Sequence, residues 1–147
     1  MPEATQKPSL QILDAENEQS KATVTSTSSP RLKLSLRLMH GEDIALGPGK
    51  AELLATIAKT GSISSAGKSM GMSYRRAWML VDVMNRCFKS PLVETAKGGS
   101  HGGGAWLTPF GEKILAQYQI MDTAAKQVAN AYLGLFDQLM AGKDSSE

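Results

Sequence analysis

Apolar and polar positions change their spacing several times along this chain, and each change marks an element. Leu32, Leu34, Leu36 and Leu38 alternate with Lys33, Ser35, Arg37 and Met39, a period of two that predicts a half-buried strand over 32–39. Gly41-Glu42-Asp43 predicts a turn, and residues 44–46 a short return strand. The period then becomes helical. Leu53, Leu54, Ile57 and Ala58 form one stripe, broken by Gly47-Pro48-Gly49 before it and ended by Gly61 after it. Ser62 predicts an N-cap for a short helix with Ile63, Ala66 and Met70 on one face, and Gly71 lets the chain turn sharply. Ser73 caps the next helix, whose core-facing stripe is Ala77, Leu80, Val81, Met84 and Phe88.

Residues 91–96 and 105–108 predict two more strands, separated by the glycine-rich run 97–104. Thr108 and Pro109 together predict the start of a long helix. Along it Ile114, Tyr118, Met121, Ala125, Val128, Tyr132, Leu135 and Leu139 are spaced alternately four and three residues apart. Such a heptad seam favours association between helices. Leu115, Leu133 and Phe136 widen its apolar face, and Gly134 weakens it locally.

Two short amphipathic segments joined at Gly71 have the layout of a helix-turn-helix, and a hairpin directly after them that of a wing. The candidate contacts to double-stranded DNA follow from that layout. Ser73, Tyr74, Arg75 and Arg76 stand at the start of the second helix, where cations are disfavoured by the helix dipole unless phosphates face them. Ser62 and Ser64 open the first helix, with Ser62 needed as a cap. Lys97, Ser100 and His101 lie at the tip of the wing. Trp78 is expected to pack beneath the wing rather than to read DNA.

Charge sharpens this picture. The net charge of +2 hides an uneven distribution, because residues 48–104 hold eight Lys and Arg against three Asp and Glu. A local basic surface suits phosphate contact. The hydrophobic fraction of 41% supports a buried core, whereas the Ser/Thr-rich stretch 20–30 cannot offset its ordering entropy. A single cysteine, Cys87, and no apolar run of signal-peptide or spanning length lead to the expectation of a cytoplasmic, nucleoid-associated protein without membrane contact. Catalysis is not expected, since no nucleophile stands beside a base-and-orienter pair. Gly47-Pro48-Gly49-Lys50 lacks the spacing of a nucleotide-binding loop, and His40, Cys87 and His101 lack paired metal-ligand spacing. No cofactor or metal is expected.

Residues 47–114 closely resemble the N-terminal domain of the ModE-type molybdate-responsive transcription regulators, and more distantly the LysR-type winged helix. The resemblance is carried by GPGKAELLATIAKTGSISSAGKSMGMSYRRAWMLVDVMN and by PLVETAKGGSHGGGAWLTPFG, with SYRRAW, LVDVMN and the ETAKGGSHGGGAWLTP wing as its discriminating parts. It implies DNA binding and dimerisation. Family members also carry C-terminal β-barrel domains that bind molybdate or tungstate, and no strand-rich segment follows the long helix here, so these domains are expected to be lacking.

The expected fold is mainly α with a small β component: a winged helix-turn-helix with a short N-terminal β-hairpin and a long C-terminal dimerisation helix. Residues 1–30 are expected to be a disordered tail, 31–108 the DNA-binding domain, 109–142 the dimerisation helix and 143–147 a second tail. The expectation is a homodimeric, sequence-specific regulator reading an inverted repeat at molybdenum-related genes. An architectural DNA-binding protein of low specificity stays open, as does a DNA-binding subunit whose long helix docks a separate molybdate-sensing protein.

Overall fold

The computed structural model describes residues 29–97 and 103–142. Most of the expected N-terminal tail, wing-tip residues Ser100 and His101, and the tail over 143–147 lie outside the described residues. The chain divides into two compact units, Lys33–Val128 and a second made of Met1–Leu32 with Ala129–Glu147.

The first unit opens with an antiparallel hairpin of β1 (Leu38–His40) and β2 (Asp43–Leu46). The strand expected over 32–39 is corrected here, because pairing begins only at Leu38 and takes in just its last two residues. Leu34 and Leu36 are half-buried while Leu38 is exposed. The Leu36 carbonyl is bound by a side chain instead of a ladder, accepting from the Tyr118 hydroxyl at 2.9 Å.

Helix α1 (Pro48–Thr60) starts with proline, whose fixed φ suits the first helical position and whose missing N–H costs nothing there. It buries Ala51, Leu53, Leu54 and Ile57. Ala58, expected in this stripe, is exposed at its trailing edge. Gly61 ends the helix at φ 73°, a left-handed conformation open to glycine at little cost, and its N–H donates to the Ile57 carbonyl at 2.8 Å.

Helices α2 (Ile63–Ser69) and α3 (Tyr74–Cys87) follow, with Gly71 turning the chain between them at φ 73°. They pack closely. A Cβ placed on Gly67 of α2 would lie 2.8 Å from the Ala77 Cβ of α3, so only glycine permits this approach. Ala77, Val81 and Met84 are the buried stripe of α3, and Leu80 and Phe88 pack against it half-buried.

A second antiparallel hairpin joins β3 (Val93–Ala96) to β4 (Gly104–Leu107), with Val93 opposite Leu107 and Ala96 opposite Gly104. Asn85 fastens its first strand to α3. The Asn85 amide oxygen accepts from the N–H groups of Leu92 at 2.8 Å and Val93 at 3.2 Å, and its amide nitrogen donates to the Val93 carbonyl at 3.1 Å. Helix α4 (Pro109–Leu133) begins where Thr108 Oγ1 accepts from the Gly111 N–H at 2.8 Å and donates to the Pro91 carbonyl at 2.7 Å. The core lies between these elements, with Leu46, Leu53, Leu54, Ile57, Met84 and Leu92 fully enclosed.

In the second unit the last residues of α4 give way to a 3-10 turn at Gly134–Phe136. The helix expected to reach residue 142 thus stops at Leu133. Gly134 carries the greatest backbone freedom of any residue in this segment, which makes it the weakest point of the helix. The result is a mainly helical chain with two small two-stranded sheets among the described residues. No helix among them is long and apolar enough to cross a membrane.

Candidate nucleic-acid interface

Both serine caps form as their spacing predicts. Ser62 Oγ accepts from the Ser65 N–H at 3.1 Å, and Ser73 Oγ accepts from the Arg76 N–H at 3.1 Å. Each satisfies one of the orphan donors at a helix start and fixes where the side chains of the first turn project. Ser64, one residue into α2, is exposed.

Tyr74, Arg75 and Arg76 occupy the first turn of α3 and are all exposed. No acidic residue stands in that turn, so two guanidinium groups sit at the positive end of the helix dipole. The other end of α3 differs. Arg86 Nε bonds Asp82 Oδ2 at 3.0 Å, so the charge there is largely neutralised. Among the described residues, unpaired positive charge on α3 is therefore concentrated where the helix begins. The Tyr74 and Trp78 rings, with centroids 6.0 Å apart and planes tilted by 58°, brace each other on the same surface.

A groove of about 490 Å³ separates the start of α2 from the second hairpin. Ser62, Ser64 and Trp78 line one side, and Thr95, Lys97 and Gly104 the other. The structure thus brings Ser62, Ser64 and Lys97 together. Trp78 forms part of the groove wall and is still 38% exposed, so it lies open to the groove rather than sealed beneath the hairpin. Thr95 belongs to this wall and was invisible to spacing arguments, since a threonine in a strand reads only as a good strand former.

Arg76 lines a different concavity, of about 260 Å³, together with Arg37 and Lys50. Burial pushes the Lys50 ammonium below its ordinary range. Beyond that main cause, the Arg76 guanidinium lowers it further, while Cys87 and Asp43 act in the opposite sense. In the sequence Lys50 belongs only to a run without nucleotide-loop spacing and Arg37 only to the alternating segment, because both precede the helix-turn-helix and only the fold carries them to Arg76.

The seam expected along α4 is divided. Tyr118 is buried in the core of its own chain and Ile114 packs half-buried against that core, so both serve this fold rather than a partner. Burial raises the Tyr118 hydroxyl above the ordinary tyrosine range, with the Asp122 carboxylate adding to the effect and Lys126 and Arg37 opposing it. Ala125 is half-buried, and Met121 and Val128 are exposed. Tyr132, Leu135 and Leu139 fall in the second unit and are exposed there, the last two beyond the end of the helix.

A chain with this layout of helices, hairpins and unpaired cations has known relatives. It is 41% identical over 87 residues to the molybdenum-pterin-binding protein MopB of Rhodobacter capsulatus, covering 59% of this chain and 32% of that protein. It is 41% identical over 92 residues to the transcriptional regulator ModE of Yersinia pestis, covering 63% and 33%. The DNA-binding transcriptional dual regulator ModE of Escherichia coli K12 is 39% identical over 89 residues, covering 60% and 34%. The chain therefore spans about a third of the length of these curated relatives. No family model matches it. Among solved structures, a LysR family transcriptional regulator aligns with a TM-score of 0.45 and 14% identity, over 57% of this chain and 27% of that one.

Proposed function

We propose that the unit Lys33–Val128 is a winged helix-turn-helix and that the protein is a sequence-specific DNA-binding transcription regulator. In this reading α2 and α3 are the helix-turn-helix, α3 is the recognition helix and the β3–β4 hairpin is the wing. The observation that carries the reading is that Arg75 and Arg76, without an ion-pair partner among the described residues, stand at the capped start of α3, the helix whose Trp78 lines a groove shared with the second hairpin. Arginine pairs bidentately with guanine edges and with phosphates, and the capped helix start aims both side chains outward. Ser62, Ser64 and Lys97 supply further contacts from the groove, Ser73 and Tyr74 from the helix start, and Ser100 and His101 complete the set at the wing tip. The ModE and Mop relatives support a role at molybdenum-related genes.

Association as a homodimer would present two recognition helices to an inverted repeat. Affinity then falls steeply with salt, because most of it comes from phosphate contacts.

The test is capture of sheared genomic DNA from the source cell by the purified chain at about 150 mM salt, with and without molybdate. A few recovered fragments sharing an inverted repeat, bound about 10³-fold or more above bulk DNA, support the regulator. Uniform recovery of all fragments demotes it to an architectural protein. Failure to recover any fragment favours a DNA-binding subunit that depends on a separate molybdate-sensing protein.

A further inference from the structure

The run Gly47-Pro48-Gly49-Lys50 is not used by the helix-turn-helix reading, yet its surroundings are unusual. Gly47 offers no side-chain cap to α1, and no acidic residue stands in the first turn. Pro48 has no N–H, and the Ala51 N–H is taken by the Gly47 carbonyl at 2.9 Å. The N–H groups of Gly49 and Lys50 meet no protein acceptor among the described residues. They stand at the rim of the concavity of about 260 Å³ that Arg37, Lys50 and Arg76 line, and no carboxylate lines it.

None of these three cations makes an ion pair among the described residues, where the pairs formed are Arg86–Asp82 and Lys126–Asp122. The aliphatic stem of Arg37 lies alongside Gly47, where a Cβ would stand 3.4 Å from the Arg37 Cγ, an ordinary packing distance. The Lys50 ammonium is lowered first by burial and further by repulsion from the Arg76 guanidinium, a repulsion that Cys87 and Asp43 oppose. An anion entering the concavity would relieve it.

The geometry points to a seat for a tetrahedral oxyanion, built from Arg37, Lys50, Arg76 and the N-terminal turn of α1, that takes a phosphate of the DNA backbone beside the start of α3. The choice of DNA as the source rests on the proposed function; the oxyanion chemistry does not. Arg76 thereby contacts the backbone rather than a base, and base reading at the recognition helix falls to its neighbours Tyr74 and Arg75.

The test uses the full chain and its Arg37→Gln/Lys50→Gln variant, which leaves Arg76 in place. Binding to two duplexes of unrelated sequence is followed over a salt series. Separately, the amide resonances of Gly49 and Lys50 are followed by NMR as inorganic phosphate is added. The variant should weaken binding to both duplexes by the same factor and reduce the salt slope by about 0.9, the value for one phosphate. Phosphate should shift both amides in the wild type and neither in the variant. A reduced slope with shifted amides establishes the DNA phosphate as the ligand, whereas a reduced slope with silent amides removes the helix start from the seat and overturns it. An unchanged slope with shifted amides assigns the seat to a free oxyanion. Shifted amides in a chain that binds no duplex would refute the regulator and retain the seat. An unchanged slope with silent amides overturns the proposal. The wild-type titration requires no variant, so a misfolded double variant leaves that arm decisive.

Discussion

Arg75 and Arg76 carry opposite costs in the two states of the protein. Free, they sit at the wrong end of a helix dipole without an acidic partner; bound, they would meet phosphates and base edges. Replacing both with Ala should therefore remove duplex binding while leaving the melting temperature level or slightly raised, which anisotropy titration and thermal unfolding would check together. Retained binding would remove α3 from the interface. Asn85 behaves in the reverse way. It makes no contact with the groove, but it accepts from two backbone N–H groups and donates to one carbonyl at the root of the second hairpin. Asn85→Ala leaves those half-buried groups without partners and should cost about 2 kcal/mol of stability in urea unfolding. Gly67 is limited by space alone. Gly67→Val drives a side chain into Ala77 and should cost about 1–3 kcal/mol, together with loss of duplex binding as α3 is displaced. The serine caps and the left-handed Gly61 and Gly71 could be read from residue type and position, since each is a local requirement. Gly67 and Asn85 could not, because their partners lie 10 and 7–8 residues away across a turn that only the fold closes.

At the scale of elements, the spacing of residues identified the four α-helices and both hairpins among the described residues but misjudged what covers them. The alternation of Leu32 to Leu38 says that one face of the segment is apolar, and a strand is the usual answer. Here the half-buried Leu36 packs on the core as part of an unpaired segment, and its carbonyl is bound by Tyr118 of α4. The same ambiguity touches the start of the heptad seam. Its first two positions, Ile114 and Tyr118, face this chain's own core, which periodicity cannot distinguish from a partner helix. The Tyr118 hydroxyl gives that contact a measurable sign. Its raised value means that the unfolded chain loses the proton first as pH rises, so the contribution to stability is full below about pH 10 and declines above it. Tyr118→Phe should lose about 1 kcal/mol at neutral pH through the missing hydrogen bond. It should also show a shallower decline than the wild type in urea midpoints taken at rising alkaline pH. An equally steep decline would place the alkaline loss elsewhere, among the lysines.

For the molecule as a whole, the unanswered question is what covers the apolar side chains that the described fold leaves in solvent. In the unit Lys33–Val128 these include Met121 and Val128 on α4, with Val128 64% exposed. The C-terminal unit exposes Tyr132, Leu135 and Leu139. A second copy of the chain is the occupant that the DNA reading requires, since one recognition helix reads too few base pairs to select a promoter, whereas two joined copies read two half-sites. Val128→Asp tests this cleanly. Val128 is already exposed, so the substitution should leave the circular dichroism spectrum and the monomer's own stability unchanged. In a dimer seam the same carboxylate must be desolvated without a partner, and sedimentation should show a dimer for the wild type and a monomer for the variant. Separating the two protomers removes the effective concentration that links their recognition helices, so affinity for an inverted repeat should drop by about 10²-fold or more, while affinity for a single half-site stays the same. A Val128→Asp chain that still sediments as a dimer would move the interface off this face of α4. If the wild type itself is a monomer, the exposed residues are left for a different partner, and the inverted repeat ceases to be the expected target.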